Sequence, residues 1–207
     1  MKNYLTELIG TFFLVLVIGL TGNPIAIGSM LMALVYVGGH ISGAHYNPAV
    51  TLALIIRKRI EAKEAFMYMI FQILGATLAA VVFYLIYGKT FAPAPAEGFH
   101  YNLKPVIIEI LFTFVLTSVV LNVATHSKTA GNSFYGIAIG FTVLAAAFAG
   151  GPISGGAYNP AVAIGPILID TIMGGHSIAN LWIYIVGPFT GALIASFVFK
   201  YVNPQEE

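Results

Sequence analysis

An internal repeat constrains the fold of this chain more than any other feature of its sequence. Residues 38–50, GGHISGAHYNPAV, align without gaps with residues 150–162, GGPISGGAYNPAV, and ten of the thirteen positions are identical. Such agreement between distant segments indicates two halves built on one structural plan. A weaker echo places Glu7 early in the first half and Glu109 early in the second.

Six apolar stretches are long enough to cross a membrane as helices. Charged residues make up 8% of the 207 residues and hydrophobic residues 58%, whereas about a quarter of a soluble domain is charged. Because a membrane crossing takes about 20 helical residues, six crossings fill the chain, and a single membrane domain over residues 1–207 is predicted. The stretches are residues 4–20, 25–41, 65–87, 105–124, 134–149 and 178–202.

Two shorter apolar segments, residues 48–56 and 160–169, are too short to cross alone. Each half therefore has three spans with one half-helix between the second and the third. Since three is odd, the second half lies inverted relative to the first. The predicted fold is an all-α membrane protein with six transmembrane helices and two re-entrant half-helices, in repeats of approximately residues 1–88 and 104–207.

The distribution of basic residues predicts the orientation in the membrane. The net charge of +1 argues against a nucleic-acid partner, which requires clustered Lys and Arg. With the N-terminus in the cytoplasm, seven basic residues fall inside and two outside, as the positive-inside bias requires. We predict a multi-pass protein of the cell (inner) membrane with both termini cytoplasmic. The run Arg57-Lys58-Arg59 fits this bias; the alternative is a specific lipid or partner site.

The first span resembles a secretory signal peptide, with Lys2 before an apolar run. However, Glu7 interrupts the run and no small-residue cleavage pattern follows it, so we predict that this segment is retained as a span.

The two half-helices begin with the same tripeptide. Inverted halves bring these starts together near the middle of the membrane, where proline suits the first helical turn and asparagine the cap before it. Two helix N-termini aimed at one point create a positive potential that disfavours cations, including hydronium. The Gly-rich stretches before them, residues 42–46 and 154–158, suit irregular backbone lining a wet cavity. The tripeptides are Asn47-Pro48-Ala49 and Asn159-Pro160-Ala161.

These paired motifs, the preceding SGAHY and SGGAY, and the two early glutamates resemble the aquaporin (major intrinsic protein) family over essentially the whole chain. The resemblance implies a passive channel for water and small uncharged solutes, assembled as a homotetramer with one pore per subunit. It also implies that Glu7 and Glu109 accept hydrogen bonds from backbone N–H groups of the re-entrant loop in their own half. The pore-lining loop residues it implies are Gly43, Ala44, His45, Gly155 and Ala157.

Two alternatives to this interpretation remain open. The Asn-Pro pairs could merely cap buried helices in another kind of membrane bundle. The intramembrane glutamates could instead serve a proton relay, although no other acidic residue lies in a full span to continue it.

In the resembled family, a narrow filter is formed by four positions that can be counted from the two asparagines. Here they are Ile27, Ala147, Gly156 and Val162. Water-selective members usually have an aromatic residue, a histidine, a small residue and an arginine; glycerol channels keep the arginine beside two aromatic residues. This chain matches neither set, and it resembles bacterial relatives that lack the arginine and are associated with arsenic handling.

Loss of the arginine removes up to five fixed donors and a permanent charge. We therefore predict a wide, apolar filter that favours glycerol, urea or neutral metalloid hydroxides such as arsenite. In the alternative, another residue fills the gap and keeps the pore water-sized. The loop 91–102, with His100 and Tyr101, is the candidate source.

No constellation for catalysis or metal binding is present. The chain has no cysteine and no Ser-His-Asp, nucleotide-loop or zinc-ligand pattern, and His40 and His45 are five positions apart, which is a poor spacing for a shared helical face. We predict no enzyme activity, no cofactor and no metal. An ion-coupled carrier would share the inverted repeat but needs coupling-ion ligands beyond the two glutamates; a structural membrane protein is a third possibility. Spacings of four between glycines, at Gly136/Gly140 and Gly187/Gly191, predict close helix crossings.

Overall fold

Helices form the regular structure of the described part of the chain. The computed structural model describes residues 1–98 and 103–206, and no strand occurs among them. Each half-helix begins at its predicted proline, because the asparagine before it accepts a hydrogen bond from the first helical turn. The α-helices are α1 (Lys2–Thr21), α2 (Pro24–Gly38), α3 (Pro48–Ile56), α4 (Ala62–Tyr87), α5 (Lys104–Val120), α6 (Tyr135–Ser154), α7 (Pro160–Ile172) and α8 (Leu181–Val202).

Five of the predicted spans are helices long and apolar enough to cross a bilayer. The sixth, α2, has 15 residues and ends at Gly38, so the predicted end at residue 41 is wrong. At Gly38 the ring of Tyr46 packs against the helix, where a Cβ atom would lie 1.9 Å from the Tyr46 hydroxyl, and residues 39–42 continue as turns. The re-entrant segment therefore begins one turn earlier than the apolar pattern indicates.

The helices pack in two equivalent sets, which confirms the inverted repeat. Helix α1 packs along α4 and α5 packs along α8, while α2 and α6 cross between the halves. Each half-helix reaches into the other half, since α3 packs on α8 and α7 on α4. This exchange places the starts of α3 and α7 at the centre of the bundle.

One end of the bundle carries most of the basic residues, and we call it the basic end. It is where α1 and α4 begin and α3 and α8 end, and the hydrogen bond from Asn3 to Glu64 joins two of these termini. A π-helical turn, Leu121–Thr125, and short 3₁₀ turns at Ser127–Thr129 and Pro204–Glu206 lie there too. The basic residues at this end are Lys2, Arg57, Lys58, Arg59, Lys63, Lys128 and Lys200.

The predicted glycine spacings lie at helix crossings. At the α2–α6 crossing, a Cβ atom on Gly140 would lie 2.5 Å from the carbonyl oxygen of Gly28. At the α5–α8 crossing, a Cβ atom on Gly191 would lie 2.4 Å from the carbonyl oxygen of Ile110. Backbones this close leave no room for a side chain, so these positions require glycine for packing.

We expect Gly140→Ala to destabilise the protein by about 1–3 kcal/mol, the usual range for overpacking a tight contact. Its added methyl group would meet backbone atoms of α2, which cannot rotate away. Thermal unfolding in detergent measures the effect. Gly151→Ala in the same helix is the matched control, because nothing lies within 4 Å of its Cβ position; equal melting temperatures for both variants would contradict the crossing.

Candidate functional site

A cavity of about 820 Å³ runs through the bundle. Gly22 and Pro24 line it near one end, and Thr125 and Ala130 line it near the basic end. Aliphatic side chains of four long helices form much of its wall, and the two re-entrant segments supply the rest. The aliphatic wall comprises Leu14, Ile18, Leu31, Val35, Leu116, Val120, Ile139 and Val143.

The two predicted Asn-Pro-Ala motifs meet at the centre of this cavity. The Nδ2 atom of Asn47 donates to the carbonyl of Tyr158 at 2.9 Å, and Nδ2 of Asn159 donates to the carbonyl of Tyr46 at 2.8 Å. Each asparagine Oδ1 accepts from the N–H of its own alanine, Ala49 at 2.9 Å and Ala161 at 3.0 Å. Because an amide nitrogen carries two protons, one donor of each asparagine remains for a molecule in the cavity.

The backbone of the two re-entrant segments follows the same unusual path in both halves. Gly43 and Gly155 have φ values of 89° and 90°, and Tyr46 and Tyr158 have 49° and 48°. Left-handed tyrosines are strained, so surrounding contacts must hold them. Their hydroxyls donate to helix carbonyls 12 residues earlier in sequence, from Tyr46 to Leu34 at 3.1 Å and from Tyr158 to Ala146 at 2.9 Å.

Glu7 is fully buried and is surrounded by donors from the first re-entrant segment. The N–H groups of His45 and Tyr46 donate to its carboxylate at 3.0 and 2.7 Å, and the Ser42 hydroxyl donates at 2.6 Å. A fourth donor, Nε2 of Gln72 in α4, lies 2.8 Å away. The sequence analysis did not predict the role of Gln72, because nothing in an apolar span indicates which residue a single amide side chain contacts.

Glu109 occupies the equivalent place in the second half and is also fully buried. It accepts from the N–H groups of Ala157 and Tyr158 at 3.0 and 2.6 Å and from the Ser154 hydroxyl at 2.7 Å. A tyrosine hydroxyl braces the start of each segment, from Tyr68 to Ser42 and from Tyr184 to Ser154. Each carboxylate thus connects one long helix to one re-entrant segment.

His45 lines the cavity, and its neighbours define its tautomer. The Thr51 hydroxyl gives its single proton to the carbonyl of Asn47 at 3.0 Å. The Nδ1 atom of His45, 3.2 Å from that hydroxyl, must therefore be the donor, which leaves Nε2 as an acceptor. His40 lies in the exposed turn after α2 and does not line the cavity. No group of three His, Asp or Glu side chains within residues 1–98 and 103–206 is placed to hold a metal ion.

The four predicted filter positions lie along the same cavity. Ile27 comes from α2, Ala147 from α6, Gly156 from the second re-entrant segment and Val162 from α7. None carries a side chain that can donate a hydrogen bond. Phe148 and Pro152 also line this part of the wall, and sequence reasoning missed both because it counted only from the asparagines.

Arg59, at the basic end, is the only permanently charged residue among the described residues that line the cavity. Residues 91–98, the described part of the loop predicted as a source of a filling residue, lie at the other end, where the N–H of Ala96 donates to the carbonyl of Ile153 at 3.2 Å and Ala94 packs against Gly155. His100 and Tyr101, the candidate filling residues, lie outside the described residues.

A bundle of apolar helices around a cavity of this kind, with two opposed half-helices meeting inside it, defines a helical membrane channel. Residues 18–199 match the family model described as major intrinsic protein. The chain belongs to the major intrinsic protein family, and as a member of a family of channels it is not an enzyme.

Curated relatives and a solved structure agree with this assignment. The chain is 36% identical to aquaporin NIP1-4 of Oryza sativa subsp. japonica, over 96% of this chain and 76% of the relative. It is 34% identical to the glycerol uptake facilitator protein-like 6 of Lactiplantibacillus plantarum, over the full length of both. The aquaglyceroporin of Plasmodium falciparum has the same fold, with a TM-score of 0.87, 22% identity and coverage of 99% and 98% of the two chains.

Proposed function

We propose that this protein is a passive channel for water and for small uncharged solutes wider than water, such as glycerol, urea and neutral metalloid hydroxides including arsenite. The observation that carries the proposal is the filter, where Ile27, Ala147, Gly156 and Val162 line one cavity and bring no side-chain donor or charge. A relative named as a glycerol uptake facilitator, aligned over its full length, supports the same substrate class.

The walls of the cavity suit a molecule that has hydroxyl groups on one side and a carbon skeleton on the other. Aliphatic side chains offer an apolar surface to the skeleton. The backbone carbonyls of Gly43, Ala44 and Gly155 accept no hydrogen bond from the described residues, so they are open to hydroxyl protons. Without a buried donor at position 162, the predicted filter imposes no requirement for an acceptor on the solute.

The electrostatic potential at the centre of the pore excludes cations. Helices α3 and α7 both begin there, and each helix N-terminus carries a partial positive charge of about half a unit. The free amide protons of Asn47 and Asn159 add to this positive potential. They donate to an oxygen lone pair of a neutral solute and repel a cation. Neutral solutes pass this region without the desolvation cost that an ion would meet.

Two other hypotheses for the function have less support from the contacts in the pore. A strictly water-selective pore requires another residue to fill the space beside Val162, and the loop 91–102 is the candidate source. An ion-coupled carrier requires coordinating groups near the midplane, but Glu7 and Glu109 are already surrounded by donors of their own half.

We further propose one channel domain over residues 1–207, with repeats of about 1–88 and 104–207, in the cell membrane with both termini in the cytoplasm. The seven basic residues at the basic end, against Lys89 and Lys104 at the other, support this orientation. A homotetramer is proposed on family resemblance, and the mass of the detergent-solubilised particle, corrected for bound detergent, tests it.

Uptake of arsenite and arsenate into proteoliposomes at neutral pH tests the substrate class. Arsenite is uncharged there, whereas arsenate is an anion of similar composition. We expect arsenite to enter several times faster than into protein-free liposomes and arsenate to enter at the protein-free rate. Equal rates of arsenite entry with and without protein would overturn the proposed filter, and entry of arsenate would overturn the exclusion of ions.

A further inference from the structure

A second cavity of about 210 Å³ lies at the basic end, where α3 and α8 terminate. Four basic side chains and one carboxylate line it, beside the aromatic ring of Phe199. The lining residues are Ile56, Arg57, Lys58, Arg59, Phe199, Lys200, Asn203 and Glu206. Neither the pore motifs nor the filter accounts for this cluster.

Arg57 does not behave as a solvated charge of the kind that the positive-inside bias explains. Its side chain is only 7% exposed, and its guanidinium lies over the Phe199 ring, 5.1 Å from the centroid. The Nε atom of this buried group has no hydrogen-bond partner among the described residues. Burying a guanidinium with an unpaired donor is costly, which indicates that the site is built to hold an anion with several acceptor atoms.

The chain's own C-terminal segment supplies the anion in this structure. Nη2 of Arg57 lies 2.7 Å from Oε2 of Glu206, and Nη1 donates to the Glu206 backbone carbonyl. The Glu206 side chain is 6% exposed, and its other oxygen accepts from the hydroxyl of Ser127 and, at 3.2 Å, from the Ser127 N–H. The hydrogen bond from the Ser127 hydroxyl holds the pKa of Glu206 below its ordinary value, so this carboxylate is charged at neutral pH.

Within residues 1–98 and 103–206, a single carboxylate lies beside Arg57, Lys58 and Arg59 in this cavity. Lys58 adopts a left-handed φ of 56°, and the turn around it, closed by the bond from Arg59 N to the carbonyl of Leu54, brings Lys58 and Arg59 to the same lining as Arg57. Glu206 therefore shares this lining with Arg57, Lys58 and Arg59. A phosphate group carries more negative charge and more acceptor oxygens than a carboxylate, and the arginine fork matches it in two-point geometry.

We propose that this cavity is a binding site for a phosphate group, carried either by an anionic lipid headgroup or by a soluble phosphate ester, and that the Glu206 carboxylate is its internal competitor. The proposal goes beyond the channel function and does not depend on it. Arg59 lines both this cavity and the pore, and it donates to the carbonyl of Thr125 at 2.9 Å. An occupant of the phosphate site therefore shares a side chain with the basic end of the pore.

Two binding assays on the full chain test the proposal. In detergent, phosphorus NMR titration with inorganic phosphate measures the soluble source. In nanodiscs, native mass spectrometry of bound phosphatidic acid against phosphatidylcholine measures the lipid source. Glu206→Gln removes the competing charge, and we expect it to bind the phosphate probe about tenfold more tightly than wild type, since a competitor lowers the fraction of competent sites.

Two variants and a control complete the design. Arg57→Gln should lose most of the binding; because loss of a buried guanidinium could also unfold the segment, Lys58→Gln, at an exposed position, should weaken it as well. Lys63→Gln, which removes equal charge at the basic end outside this cavity, should bind as wild type does. Tighter binding of the phosphate probe by Glu206→Gln in either assay supports the site. The assay in which binding tightens shows whether the phosphate group comes from a soluble compound or from a lipid. Unchanged or weaker binding by Glu206→Gln in both assays overturns it.

Discussion

Glu109→Ala is expected to lower the stability of the folded chain by at least about 3 kcal/mol, because a buried donor left without its acceptor costs about 1–3 kcal/mol. Three donors lose this acceptor together, the Ser154 hydroxyl and the N–H groups of Ala157 and Tyr158, and only the hydroxyl has another acceptor in reach, the Gly150 carbonyl at 3.4 Å. Fewer contacts then hold the left-handed backbone of Tyr158. The second re-entrant segment should no longer keep its conformation, and the pore should close or leak.

Thermal unfolding in detergent and channel flux in liposomes measure the two consequences. The stability of Glu109→Gln should lie between those of Glu109→Ala and wild type. Its amide oxygen still accepts hydrogen bonds, whereas its amide nitrogen lies against donors. Glu61→Ala is the matched control: this carboxylate is exposed and its side chain does not cap α4, so its effect should stay within about 0.5 kcal/mol. Equal stability of the Glu61 and Glu109 variants would show that Glu109 does not brace the loop.

Val162→Arg is expected to reduce glycerol permeability by about tenfold, which corresponds to roughly 1.4 kcal/mol in the barrier, while water permeability changes little. Val162 is 3% exposed and lines the pore, so an arginine there fills space across the filter. Its guanidinium can bond to carbonyls of the re-entrant segment, which narrows the aperture and adds a fixed charge. Stopped-flow light scattering separates water flow from solute flow in one trace.

Val162→Met is the control that separates side-chain length from charge. An unbranched apolar side chain adapts to the cavity wall, so we expect a smaller loss of glycerol flow than with arginine. An unchanged solute profile in Val162→Arg, in protein shown to be folded by its melting temperature, would contradict the position of Val162 at the constriction.

The repeat predicted the fold because it specifies both the topology and its symmetry. Two identical Asn-Pro-Ala segments, one in each half of three spans, leave few arrangements other than opposed half-helices. The reciprocal bonds of Asn47 and Asn159 to Tyr158 and Tyr46 follow that symmetry. The end of α2 was missed because hydropathy continues through Ile41, whereas the helix ends where the Tyr46 ring packs against Gly38.

Two of the contacts that sequence reasoning missed are not duplicated by the repeat. Gln72 completes the donor set of Glu7. No equivalent amide of the described residues donates to Glu109, so the symmetry of the repeat does not predict this contact. The pair Arg57–Glu206 joins residues 149 apart in sequence, and neither residue belongs to a motif. The charge run 57–59 was visible, but only burial distinguishes an ordered anion site from solvated lysines and arginines.

The most direct test of the proposed function is stopped-flow light scattering of wild-type proteoliposomes exposed to an inward glycerol gradient. The proposed filter predicts rapid shrinkage as water leaves, then reswelling as glycerol enters, with both phases faster than in protein-free liposomes of the same lipid. Shrinkage and reswelling at the protein-free rates would contradict the channel. Fast shrinkage with reswelling at the protein-free rate would contradict a filter wide enough for solutes larger than water.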